Sequence, residues 1–190
     1  MKVTETSFPG LLVLEPKVFR DNRGFFLESY NRSRFLKAGV DADFVQDNHA
    51  YSRDAGVLRG FHFQLPPASQ AKLVWVTRGA VLDVVVDLRR GAPTYGEAYS
   101  TELSAENFKR MFIPKGFAHG YLTLQPDTEF IYKVDAPYSP EHDFGLKYDD
   151  PDIGFDWGGY LKGAEPILSE KDTRLGALVD FDSPFTYQGD

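Results

Sequence analysis

Several ionisable side chains sit in stretches that otherwise read as buried β-strand, and these are the places to look for chemistry. In Lys72-Leu73-Val74-Trp75-Val76, strand alternation puts Lys72 on the face of Val74 and Val76. A lysine at a strand's start commonly snorkels its ammonium to water, and that is the plain account here. In Val57-Leu58-Arg59-Gly60-Phe61-His62-Phe63-Gln64, simple alternation groups Leu58, His62 and Gln64 against Arg59 and Phe61. A glycine inside a strand often marks a bulge, and a bulge at Gly60 would turn both Arg59 and His62 toward one cavity. In Ile113-Pro114-Lys115-Gly116-Phe117-Ala118-His119-Gly120, a Pro-x-Gly turn leads into an apolar strand that carries His119. Tyr132 reads most simply as a core aromatic whose hydroxyl reaches the surface. Asp172, in Ser169-Glu170-Lys171-Asp172, reads as the acid of a helix-capping sequence. Each residue alone has such a structural account. Together they put His62, His119, Lys72 and Tyr132 on different strands of one small barrel, where inward faces converge.

The elements that must position them are almost all strands. Period-two alternation and β-branched or aromatic runs predict strands at 11–14, 25–30, 44–49, 57–64, 72–77, 80–88, 97–103, 109–113, 120–124 and 129–134. Turn signals such as Pro66-Pro67, Arg78-Gly79 and Pro114-Lys115-Gly116 separate them at short intervals. Many short strands so spaced predict an all-β sandwich or barrel. Asn31 caps a predicted short helix through Lys37, closed by Gly39. Single helical turns are expected after Ser104 and between Ser169 and Thr173. From Tyr138 the chain is richer in Pro, Gly and Asp and reads as loops wrapped around the barrel, within a single domain spanning 1–190.

The composition narrows the function. The 190 residues carry 21 Lys and Arg against 28 Asp and Glu, a formal charge of −7 that argues against a nucleic-acid binder. With no cysteine, thiol nucleophiles, disulfides and Cys-ligated zinc are excluded. The longest apolar stretch, 80–88, is broken by Asp83 and Asp87, and the N-terminus lacks an apolar run of signal-peptide length, so a cytoplasmic protein without membrane contact is expected.

A Gly-x-His entry and a later Pro-x-Gly-x-x-His suggest the cupin, or jelly-roll, architecture. Metal-binding cupins usually carry His-x-His and a following carboxylate. Here His62 is followed by Phe63 and Gln64, with no Asp or Glu in the next several residues, so no metal site is expected. Longer motifs carry a more specific resemblance. Val18-Phe19-Arg20-Asp21-Asn22-Arg23-Gly24-Phe25-Phe26, Glu28-Ser29-Tyr30, Phe44-Val45-Gln46-Asp47-Asn48-His49 and Gly56-Val57-Leu58-Arg59-Gly60-Phe61-His62 come first. Gly116-Phe117-Ala118-His119-Gly120, Asp149-Asp150-Pro151, Asp156-Trp157 and Ser169-Glu170-Lys171-Asp172 follow in order. With these the chain resembles the dTDP-4-dehydrorhamnose 3,5-epimerases up to about Leu175.

The resemblance implies a cofactor-free cupin homodimer acting on a dTDP-4-keto-6-deoxy sugar in dTDP-L-rhamnose biosynthesis. A ketone at carbon 4 acidifies the hydrogens on carbons 3 and 5. Epimerisation there needs a base on one face, a proton donor on the other, and a cation at the enolate oxygen. The resemblance implies His62 as base with Asp172 as its partner, Tyr132 as proton donor, and Lys72 as stabiliser of the enolate oxygen. It implies sugar contact for His119, diphosphate contacts for Arg23 and Arg59, and thymine stacking for Tyr138. Glu28, Gln46, Asn48 and Lys171 match binding positions. Asp143 does so with one methylene less than the usual Glu. Arg23 and Glu28 lie on an early strand expected to serve the neighbouring subunit's site. A relative that epimerises only carbon 3 or only carbon 5, a non-catalytic sugar-nucleotide-binding cupin, and a metal-dependent cupin oxygenase are the alternatives.

Overall fold

The computed structural model describes residues 1–189. Thirteen strands account for most of its regular structure: β1 (Lys2–Glu5), β2 (Leu12–Glu15), β3 (Val18–Asp21), β4 (Gly24–Leu27), β5 (Gln46–Ser52), β6 (Leu58–Gln64), β7 (Lys72–Arg78), β8 (Ala80–Asp87), β9 (Ala98–Ser104), β10 (Arg110–Ile113), β11 (Phe117–Thr123), β12 (Thr128–Val134) and β13 (Asp143–Gly145). A six-stranded sheet runs β1-β2-β10-β7-β12-β5, a five-stranded sheet runs β13-β6-β11-β8-β9, and β3-β4 form a separate hairpin. All these pairings are antiparallel, as expected for the jelly-roll architecture of a cupin.

Alternation explains which side chains meet between the sheets. Val74 and Val76 of β7, Met111 and Ile113 of β10, and Phe130 of β12 pack against Val81 and Val85 of β8 and Phe117 and Tyr121 of β11. Outside the six-stranded sheet, Leu73, Trp75 and Phe112 are covered by Phe35 of the helix α1 (Arg32–Lys37), whose N-cap is Asn31. Outside the five-stranded sheet, Leu82, Val84, Val86 and Phe63 are covered by Trp157, Leu178 and Phe185. The segment after Leu175 is therefore a packed cover: Ser183 Oγ donates to the Leu88 carbonyl at 2.5 Å, and Arg90 bridges to Thr186. No helix among the described residues is long and apolar enough to cross a membrane.

Some local expectations need correction. The early strand predicted to reach Tyr30 ends at Leu27, because Glu28 turns to Arg34 and Tyr30 packs on Phe35 beneath α1. The strand predicted from Phe44 begins at Gln46 and runs on to Ser52, where β12 offers a partner for each residue. Ser104 opens a turn without a helix: it exchanges hydrogen bonds with Asn107, and Phe108 then takes a left-handed conformation (φ 56°). β11 starts at Phe117, so His119 sits inside the strand.

At Gly60 the predicted bulge is present. The β6–β11 register slips between His119 and Tyr121, so Phe61 and Phe63 join Leu58 on the outer core while Arg59 and His62 both face inward. Gly60 has φ +123°, and a Cβ there would lie 2.5 Å from Gly120 Cα and 2.7 Å from the His119 carbonyl oxygen. Both neighbours are backbone and cannot swing aside. Gly60→Ala is therefore expected to cost about 2 kcal/mol or more, read as a lowered urea midpoint at unchanged slope. A midpoint equal to that of the parent would show that the bulge tolerates a side chain.

Candidate active site

Between the sheets lies a cavity of about 350 Å³, walled by strands from both. On the five-stranded side, β6 presents His62, whose Nε2 lies 2.6 Å from Asp172 Oδ1. Asp172 is only 3% exposed, and its two oxygens also accept from the Gly60 N–H (3.3 Å) and the Ser169 hydroxyl (2.5 Å). Burial would raise its pKa. The His62, Ser169 and Gly60 contacts outweigh that and hold it at about 2, so the carboxylate stays ionised. With Nε2 turned to Asp172, the second ring nitrogen, Nδ1, is the one free to carry a lone pair for a reacting atom.

On the six-stranded side, β12 presents Tyr132 and β7 presents Lys72. Tyr132 pairs with Val74 and Val134 with Lys72, so the two functional side chains are diagonal neighbours on the inward face. Burial raises the Tyr132 pKa against the pull of Arg59, which keeps the phenol protonated and able to donate. Lys72 does not snorkel. It is 8% exposed, and its Nζ approaches the His62 carbonyl oxygen at 3.4 Å. Burial pushes its pKa down to about 8, and the charges of Asp83 and Asp143 oppose the fall. His119, on β11, is buried and faces Asp83 of β8, with Nε2 2.9 and 3.1 Å from the two carboxylate oxygens. Burial lowers the His119 pKa against the carboxylate's opposing pull.

The mouth is built from Arg59, Tyr138, Asp143 and Lys171. Asp143 Oδ2 accepts from the Tyr138 hydroxyl (2.7 Å) and from Lys171 Nζ (2.5 Å), so the shorter acid ties these two side chains together. Gln46 Oε1 accepts from the Tyr138 backbone N–H at 3.1 Å, and its amide donates to Asn48 Oδ1 at 2.8 Å. Arg23 and Glu28 are not brought to this cavity. Arg23 is at the tip of the β3–β4 hairpin against Asp21, and Glu28 is 3.2 Å from Arg34.

Sequence reasoning missed Asp83, Ser169, Gln64 and Tyr121. The signal for Asp83 was present: an acid between Val81 and Val85, at an inward position of a strand buried on both faces. Gln64 anchors the mouth, since its side chain binds the Ala68 and Pro137 carbonyls and the Ser139 N–H. Among the described residues no cluster of three or more His, Cys, Asp or Glu is placed to hold a metal ion.

The chain is matched along most of its length by known proteins. Residues 5–180 match the family model described as dTDP-4-dehydrorhamnose 3,5-epimerase. The enzyme of that name from Sinorhizobium fredii is 49% identical, over 95% of this chain and 91% of its own. A crystal structure of the Bacillus anthracis dTDP-4-dehydrorhamnose 3,5-epimerase with TDP and pyrophosphate bound is 47% identical and superposes with a TM-score of 0.89, covering 93% of this chain and 99% of that one. The Legionella pneumophila dTDP-6-deoxy-D-glucose-3,5-epimerase in complex with dTDP-4-keto-L-rhamnose is 40% identical with a TM-score of 0.92, covering 99% of both chains. The chain belongs to the dTDP-4-dehydrorhamnose 3,5-epimerase family, isomerases built on the cupin fold.

Proposed function

We propose that the protein converts dTDP-4-dehydro-6-deoxy-α-D-glucose to dTDP-4-dehydro-β-L-rhamnose, in dTDP-L-rhamnose biosynthesis, without a cofactor. The observation that carries this reading is the opposition of a His62–Asp172 pair on one sheet to Tyr132 on the other, across one cavity that also holds a buried Lys72. The ligand named for the Legionella relative supports the substrate class.

In this mechanism His62 removes a proton from the carbon beside the ketone, and the bonding pair moves into the carbonyl to leave an enolate. Asp172 stabilises the imidazolium that results. Lys72 donates to the enolate oxygen, where a cation in a site that excludes water acts most strongly. Tyr132 delivers its proton to the opposite face of the carbon, which inverts the centre. Proton exchange with solvent restores imidazole and phenol, and the sequence repeats at the second carbon. His119 contacts the sugar, Arg59 the diphosphate, and Tyr138 the thymine ring. Gln46, Asn48, Asp143 and Lys171 complete the nucleotide site.

Arg23 and Glu28 enter this scheme from a second copy of the chain. The hairpin that carries Arg23 and precedes Glu28 exposes Phe19, Phe25 and Phe26, an apolar surface suited to burial in a homodimer. The reaction is placed in the cytoplasm.

The test is incubation of chelator-treated protein with the 4-keto sugar nucleotide in heavy water, followed by proton NMR. Loss of signal at carbons 3 and 5, with the rhamnose-configured product trapped by a reductase, is expected. Exchange at one carbon alone would make this a single-site epimerase. Binding without exchange would overturn the mechanism. In the same assay Tyr132→Phe is expected to retain most proton abstraction while product formation falls by about 10²-fold or more. Equal losses of both would contradict the two-wall scheme.

A further inference from the structure

The cavity wall and the layer behind it bury more charge than the proposed steps use. Asp83 is completely shielded from solvent, in the middle of a strand of Val, Leu and Ala, yet both its oxygens lie against His119 Nε2. A carboxylate taken out of water at this depth is unfavourable unless paired, and a structural need at an inward position of β8 would be met by another valine. Lys72 has the complementary problem. It is a buried ammonium whose hydrogen-bond partner is one carbonyl at 3.4 Å, and among the described residues it forms no ion pair with a carboxylate within 4 Å.

The charges acting on Lys72 come from several elements. Asp83 on β8 acts most strongly in its favour and Asp143 on β13 next, while Lys171 opposes it. His119 on β11 and His62 on β6 share the cavity, as does Tyr132 on β12. Of the two carboxylates, Asp143 is already bound to Lys171 at 2.5 Å, whereas among the described residues Asp83 has no cationic side chain within 4 Å apart from the histidine.

We propose that Asp83 is a positioning residue of the reaction: it is the counter-charge that keeps Lys72 an ammonium, and it fixes His119 as the tautomer protonated at Nε2. This rests on the reading of Lys72 as the group that meets the enolate. His119 then presents Nδ1 as an acceptor, able to receive a hydrogen bond from a sugar hydroxyl. Asp83 touches neither sugar nor nucleotide in this scheme and acts through the two side chains that do.

Asp83→Asn tests the assignment through the pH dependence of kcat/KM. Activity requires charged Lys72, so it falls as pH rises through the Lys72 pKa. Removing a nearby negative charge should move this basic limb down by about one pH unit or more, by the usual size of a close opposite-charge effect. At a pH just above the parent's limb the variant should then lose about tenfold beyond its loss at pH 6. A purely structural role would lower the urea midpoint and scale activity equally at every pH, leaving the limb where it was. That outcome overturns the proposal. If the Asn variant does not fold, Asp83→Ser is read instead, since its smaller side chain leaves room for water, and the same limb shift is required. Absence of turnover in the unsubstituted protein would instead overturn the epimerase reading itself, so the two failures are distinguishable.

Discussion

Replacing His62 by Asn is expected to lower turnover by about 10²–10⁴-fold, the usual contribution of a positioned general base. Deuterium exchange at both carbons should fall with it, because in the proposed mechanism the same nitrogen starts each half of the reaction. Asparagine is the smaller side chain, but the His62 side chain is 29% exposed at the cavity, so the space it leaves opens to solvent rather than into the core. Thermal and urea unfolding should therefore change little. What the substitution removes is the lone pair on Nδ1 and the imidazolium that Asp172 would stabilise. Asp172, whose carboxylate is held ionised at a pKa of about 2, then keeps Ser169 and the Gly60 N–H as partners. Substrate binding, assigned in the proposed scheme to Arg59, Tyr138 and Lys171 at the mouth, should be nearly retained. Steady-state kinetics with exchange NMR checks this, and activity within tenfold of the parent would remove His62 from the role of base.

Lys72→Met should move activity and stability in different directions. Loss of the cation proposed to meet the enolate is expected to reduce kcat by about 10²–10³-fold, as for removal of an oxyanion donor elsewhere. The fold, however, bears the cost of the buried ammonium. Its pKa falls from the ordinary lysine value to about 8, so between pH 8 and the unfolded-state value the unfolded chain binds more protons than the folded one. Stability from this group therefore rises with pH across that window and is least below it. Methionine fills a similar volume without the charge, and the urea midpoint at pH 7 should not fall. Catalysis depends on pH the opposite way: kcat/KM of the parent should decline above about pH 8 as Lys72 loses its proton. The residual activity of the Met variant should lack that decline. A lower midpoint together with an unchanged limb would show Lys72 to be structural.

The readable parts of this protein were those where burial writes a period into the sequence. Lys72 falls in line with Val74 and Val76 because β7 is inward-facing at alternate residues, and the glycine in β6 marked the slip that joins Arg59 to His62. β1 was unreadable because all four of its residues are exposed and carry no alternation. The short β3 and β13 likewise have too few buried positions to show a period. What alternation could not supply was depth. It placed Lys72 on the inward face but could not distinguish an end in water from one in a closed cavity, and it read Asp83 only as an interruption of an apolar run. The meeting of His62 with Asp172, and of Asp143 with Lys171, depends on how the C-terminal cover lies across the five-stranded sheet. No local pattern encodes that approach, so the residue roles came from family resemblance and their spatial convergence from the fold.

The slipped register at Gly60 has a consequence for substrate choice. Arg59 and His62 stand on one wall because a single backbone irregularity rotates one past the other. On the proposed assignment, the first grips the diphosphate and the second takes the sugar's proton, so the bulge works as a ruler cut into one strand. The distance it measures is that between phosphate and reacting carbon. A sugar monophosphate, anchored at the same guanidinium, would bring its ring to the wrong graduation, however well the ring itself fitted. On that assignment, selection for a nucleoside diphosphate carrier is written into the barrel wall itself.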